Sequence, residues 1–274
     1  MLLQPGDKLV MIGDSVTDAG RQRPIAEGLF NPYGSGYPNF IYSMLTAVYP
    51  DYLLRVVNVG SSGNNVTNLE ERWETDVMNL KPDWVSIMIG VNDVWRQFDL
   101  QHMPEHWVMP ELYRKTLKSL IERTKPVTKG IFLMTPIYWE LNESDAMAAR
   151  VREYAQICRE LAEETGVIFV DVQKYVDELL KRINHSSYIS WDRVHPNNPG
   201  KYVNIATGYN LNNYSGNTAV LSEQFNDTLL TRLQNEGIKK GRSWNANLNM
   251  SGRFNNDYDL KYLSIQAYLL LHLQ

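Results

Sequence analysis

Short apolar runs recur along most of the chain. KLVMI (8–12), LRVVNV (54–59), WVSIMIG (84–90), GIFLMT (130–135) and VIFVDV (167–172) are rich in β-branched residues. Runs of this kind suit strands covered on both faces. Between them apolar positions return at helical spacing, in FIYSMLTAVY (40–49), NLEERWETDVMNL (68–80), PELYRKTLKSLIERT (110–124) and AMAARVREYAQICRELAEETG (146–166). Pro110 opens the third of these, where a proline costs no hydrogen bond, and Gly166 closes the fourth. Strand and helix in alternation predict an α/β fold, a parallel sheet with right-handed crossovers. Helices on both faces make it a three-layer sandwich, with one strand from each of the five runs. In such sheets a site forms outside the carboxyl ends of the strands.

The pattern changes after Gly200. YVNIATGYNLNNYSGNT is rich in Asn, Gly, Ser and Thr and has little periodicity. Leu221, Phe225, Leu229 and Leu233 then recur every four residues, which predicts one amphipathic helix ending near Gly237. KKGRSWNANLNMSGRFNNDYD is again loop-like, and LKYLSIQAYLLLHLQ reads equally as helix or strand. The expected division is therefore an α/β domain over residues 1–200 and an Asn-rich segment over 201–274.

The chain has 274 residues, of which 43% are apolar, ample for a buried core. Its formal charge is −4, and no basic stretch suggests a surface that tracks phosphates, so nucleic acid is not an expected partner. The one cysteine, Cys158, can form neither an internal disulfide nor a thiolate cage. No apolar run approaches membrane-spanning length, and MLLQPGDKLVMIGDS lacks the features of a secretory signal. The expected location is the cytoplasm, with no membrane partner and with a homo-oligomer left open.

The polar residues of interest sit where the apolar runs stop. The first run delivers Gly13-Asp14-Ser15, the second leads into NVGSSGNN with Gly60 and Gly63, and the third ends in GVND with Asn92 and Asp93. A fourth segment, SWDRVHPNNPG, carries Asp192 and His195. Each piece alone has an ordinary reading: a turn, a left-handed glycine, a surface loop. Together, in this order, they resemble the SGNH branch of the GDSL esterase/lipase superfamily. That resemblance implies the flavodoxin-like SGNH fold over about residues 5–200. It makes Ser15 the nucleophile, His195 the general base and Asp192 the residue that orients it. The backbone N–H groups of Ser15 and Gly63 and the amide of Asn92 become the oxyanion hole. No metal and no cofactor is implied. The chemistry agrees, since a serine hydroxyl needs an adjacent base and the developing oxyanion needs preorganised donors.

KPDWVSIMIGVNDVWRQFDL, KGIFLMTPIY and SWDRVHP look more narrowly like the intracellular bacterial acetylxylan esterases of this superfamily. The expected substrate is then a small acetylated sugar, an acetylated xylo-oligosaccharide. Candidate substrate contacts are Asp14, Trp95, Tyr138 and Trp191. Trp95 and Tyr138 read equally as core, whereas Trp191 adjoins Asp192. Arg96 and Arg193 read as solvated surface before they read as contacts. Two other readings stand beside this one: a lysophospholipase or thioesterase of the same superfamily, and a carbohydrate-binding relative with impaired catalysis. HMPEH (102–106) matches a zinc-peptidase pattern, but Pro104 lies between the histidines and breaks the helix that the pattern needs. The segment after His195 departs from the superfamily, because KYVNIATGYNLNN cannot supply a regular closing helix.

Overall fold

The structure, a computed structural model, describes residues 2–25, 27, 30–183, 185–197 and 201. The helix expected over Leu221–Gly237 and the rest of the 202–274 segment lie outside the described residues. Five strands form one sheet: β1 (Lys8–Gly13), β2 (Arg55–Asn58), β3 (Trp84–Met88), β4 (Gly130–Met134) and β5 (Ile168–Val170). All pairings are parallel, in the order β2-β1-β3-β4-β5. Val10 faces Val57 on one side and Val85 on the other, so β1 is an interior strand beside the central β3. The chain reverses its direction of travel across the sheet between β1 and β3. Their carboxyl ends therefore splay the following loops apart and leave a crevice there.

Alternate residues of each strand feed opposite layers. Val10, Ile12, Val85, Ile87, Ile131 and Leu133 enter one apolar cluster, whereas Leu9, Met11, Trp84, Met88, Phe132 and Met134 enter the other. The first cluster is covered by α3 (Val66–Asp76), α5 (Pro110–Thr124) and α6 (Ala146–Thr165), through Trp73, Leu117 and Leu161 among others. The second is covered by α2 (Tyr37–Val48) and α7 (Val172–Leu180), through Ile41, Leu45, Val176 and Leu180. Two buried indoles are matched by polar side chains. Trp73 Nε1 donates to Thr124 Oγ1 at 3.0 Å, and Trp84 Nε1 donates to Asp7 Oδ2 at 3.0 Å.

Two further helices begin at strand ends. The one-turn α1 (Ser15–Asp18) follows β1, and α4 (Val91–Asp99) follows β3. None of the described helices is long and apolar enough to cross a membrane. His102 and His106 are exposed, and Pro104 opens a single 3-10 turn, Pro104–His106.

Candidate active site

The site starts from a glycine that cannot be anything else. A Cβ on Gly13 would stand 2.2 Å from Thr17 Oγ1 and 2.4 Å from the Met88 carbonyl oxygen. The bare backbone lets the chain turn sharply from β1 into α1. Asp14 caps that turn, its Oδ1 accepting the Val16 N–H at 2.9 Å. Asp14 is 2% exposed, and burial pushes its carboxyl up to about 6, against the pull of the Val16 N–H and of His195. Ser15 comes next and is half-buried.

Ser15 Oγ lies 2.7 Å from His195 Nε2. His195 Nδ1 lies 2.6 Å from Asp192 Oδ2. Asp192 Oδ1 accepts three further hydrogen bonds, from the N–H groups of Val194 and His195 and from Ser190 Oγ. Burial works to raise the Asp192 carboxyl, but the hydrogen bonds from His195 and Val194 outweigh it and hold the group below the usual carboxylate range. Asp192 is thus ionised when it faces the imidazole. The loop is fixed from behind at Arg193, whose φ of +64° is unusual for a side chain of that size. Its guanidinium pairs with Glu140 and Asp145, and its carbonyl accepts the Trp139 N–H at 2.8 Å.

Gly63 stands in the loop after β2 with φ +82°. Its N–H makes no hydrogen bond among the described residues. Asn92, 2% exposed in the first turn of α4, donates through Nδ2 to the carbonyl of Asn64, Gly63's neighbour, at 2.9 Å. Its Oδ1 faces Arg96 Nη2 at 3.3 Å, which sets the NH₂ side of the amide toward the loop. The loop is tied in turn to β1, because the Ser61 N–H donates to the Gly13 carbonyl at 3.0 Å. The sequence-derived quartet of Ser15, Gly63, Asn92 and His195 is therefore carried by loops that hydrogen-bond to one another.

Several residues that hold this assembly went unnoticed in the sequence. Arg72 of α3 donates to the Val59 carbonyl at 2.7 Å, Asn64 Oδ1 at 2.7 Å and the Gly13 carbonyl at 3.1 Å, and it pairs with Asp76. Asp18 is 3% exposed and accepts the Ser62 N–H and Oγ–H at 3.0 and 2.8 Å, with Arg23 on the same oxygen. Buried Arg21 donates from Nε to the Gly60 carbonyl at 2.8 Å. These are long-range pairings of common residue types, so nothing in their local spacing marks them. Asp93, next to Asn92, is wholly buried. It accepts the Val66 N–H at 3.0 Å through Oδ1, while Oδ2 has no partner among the described residues.

The candidate substrate contacts fall in different settings. Trp95 is half-buried, with its ring centroid 6.0 Å from that of His195. Tyr138 is 3% exposed beneath the Arg193 guanidinium. Trp191 is 84% exposed.

A serine hydroxyl on an imidazole, the imidazole on an ionised carboxylate, and amide donors at the switch point of a parallel sheet define the class of the serine hydrolases. The chain belongs to the GDSL-like lipase/acylhydrolase family, whose model matches residues 11–202. It is 50% identical over 203 residues to an acetylxylan esterase of Geobacillus stearothermophilus, a match covering 74% of this chain and 92% of that one. The crystal structure of that organism's acetylxylan esterase Axe2 superposes with a TM-score of 0.72 at 50% identity, over 74% of this chain and 92% of Axe2. LAE5, an α/β hydrolase from the metagenome of Lake Arreo, Spain, superposes with a TM-score of 0.74 at 49% identity, over 75% of this chain and 94% of LAE5.

Proposed function

We propose that the protein is a serine esterase that removes acetyl groups from small carbohydrates, acetylated xylo-oligosaccharides in particular. The observation that carries this reading is the Ser15 Oγ–His195 Nε2 distance of 2.7 Å, with His195 held on its other nitrogen by Asp192. The relative's activity gives the substrate class, and catalytic mutants of Axe2 replace a serine, a histidine and an aspartate.

In this mechanism His195 takes the Ser15 proton as Oγ attacks the acetyl carbon. The carbonyl oxygen becomes an oxyanion, held by the N–H groups of Ser15 and Gly63 and by the Asn92 amide. Asp192 stabilises the imidazolium and keeps Nε2 aimed at the reaction. Collapse breaks the bond to the sugar oxygen, and His195 gives that oxygen its proton. Water then attacks the acetyl-serine, with His195 again as base, and acetate leaves.

The test is Ser15→Ala. Acetate release from aryl and sugar acetates should fall by at least about a thousandfold with the unfolding transition unchanged. A fluorophosphonate should label Ser15 in the natural protein. Labelling elsewhere, or activity retained by the variant, would overturn the assignment. Rates on acetate, butyrate and octanoate esters test the substrate, and a preference for octanoate would replace the sugar ester with a lipid or thioester.

A further inference from the structure

A cavity of about 280 Å³ opens beside the triad, walled by Trp95, Phe98 and Asp99 of α4, by Tyr138 after β4, by Asp145 at the start of α6 and by Arg193. We propose that this cavity is the subsite for the sugar ring next to the acetylated one. The inference rests on the carbohydrate-esterase reading above and adds to it where the rest of the oligosaccharide lies.

Position comes first. His195 must hand its proton to the leaving sugar oxygen, so the sugar departs on the histidine's side. The cavity is on that side: Asp192 forms part of its wall, and the Trp95 ring stands against the His195 ring. One helix links the two functions. On α4, Trp95 lies one turn from Asn92 and Phe98 one turn from Trp95, so the helix surface winds from the oxyanion donor to the cavity wall. Asn92 to Phe98 spans about 9 Å along the axis, which separates the reacting carbonyl from a neighbouring ring.

Chemistry comes second. Aromatic faces suit the C–H faces of a pyranose, while carboxylates and a guanidinium suit its hydroxyls. An acyl chain is a poor occupant, because it would strip water from Asp99 and Asp145 and offer them nothing. Tyr138 adds a specific demand. It is 3% exposed, and its hydroxyl makes no hydrogen bond among the described residues. The hydroxyl is not among the sealed, unpartnered atoms of the described residues, so it is open to the cavity, and a sugar hydroxyl there would be a partner for it. The volume lies near the lower end for ligand pockets, roughly 300 Å³, which suits a ring or two and not a polymer. Trp191 forms no part of these walls.

The experiment compares acetate release from acetylated xylobiose, acetylated xylose and 4-nitrophenyl acetate, using the full chain and its Tyr138→Phe and Phe98→Ala variants. The natural protein should prefer acetylated xylobiose over acetylated xylose in kcat/KM. Tyr138→Phe keeps the ring and removes one hydrogen bond, so the ratio of xylobiose to aryl acetate should fall about three- to tenfold. Phe98→Ala should lower the same ratio at least as much. An unchanged ratio in both variants would overturn the subsite, and so would a parallel fall on all three esters. If the natural protein cleaves the aryl ester and neither sugar ester, the carbohydrate reading itself fails, and the subsite with it.

Discussion

The two side chains that follow Val91, those of Asn92 and Asp93, divide their labour. Asn92 faces the Gly63 loop, and its neighbour Asp93 is sealed beneath it. In the proposed mechanism Asn92 is an oxyanion donor, which acts only as charge develops, so Asn92→Ala should lower kcat about 100- to 1000-fold, roughly 3–4 kcal/mol, with little change in KM. Steady-state kinetics on an aryl acetate checks this, and a rise in KM alone would make Asn92 a pocket residue. Asp93 yields a stability prediction. Burial pushes its carboxyl up to about 7 from an ordinary 3.8, and Asp14 beside it is raised to about 6. The folded protein therefore holds these protons to higher pH than the unfolded chain does. Each carboxyl costs nothing below about pH 4, and stability is lost as the pH rises through the folded values. Asp93→Asn keeps the acceptor for Val66 and removes the ionisation. Relative to the natural protein, the variant should gain stability between pH 5 and 8, on the order of 1–4 kcal/mol. Thermal unfolding at both pH values measures it, and a gain that does not grow with pH would contradict the buried charge.

At the scale of elements, the site is a set of loops held by side chains from behind. Arg72 ties the end of β1, the end of β2 and Asn64 to α3 in one guanidinium. Arg72→Met should lower kcat by up to about 100-fold, since a displacement near 1 Å suffices for that. KM should change little, and Arg72→Lys should recover part of the loss by keeping a donor and a charge. Equal loss in both variants with an unchanged unfolding temperature would remove the positioning role. The same elements show what was legible in the sequence. The strand runs were readable because both sheet faces are covered: KLVMI became Lys8–Gly13, and VIFVDV contains Ile168–Val170. WVSIMIG overran, since Ile89 and Gly90 are buried but already leave β3 for α4. The helix expected from residue 68 starts at Val66, because Asn65 and Asn68 cap each other there. α4 and α7 were passed over. They are nine residues each, and the first turn of α4 holds Asn92-Asp93, a pair that reads as a turn. Ser15, Gly63, Asn92, Asp192 and His195 could be proposed from the sequence only together, because short motifs in one order along the chain resemble those of a known superfamily. Arg72, Asp18 and Arg21 could not, because their roles exist only across the fold.

At the scale of the molecule, the sheet has all five strands in place by Val170, and both apolar layers carry covering helices by Leu180. The triad is complete at His195, and the family match ends at residue 202. The later segment, 201–274, was separated in the sequence by its Asn-rich composition alone. A hydrophobic core closes when each amphipathic face has its partner layer, and here both faces of the sheet are paired by residues up to Val194. The chain cut after residue 215 should therefore stay soluble, unfold in one cooperative transition and hydrolyse 4-nitrophenyl acetate within about tenfold of the full chain. Calorimetry and rates on the two chains in parallel test this. Non-cooperative unfolding of the shorter chain would place Leu221, Phe225 and their periodic neighbours in the core. Cooperative unfolding with a much lower kcat would instead tie the later segment to the His195 loop and overturn the expected division near residue 200.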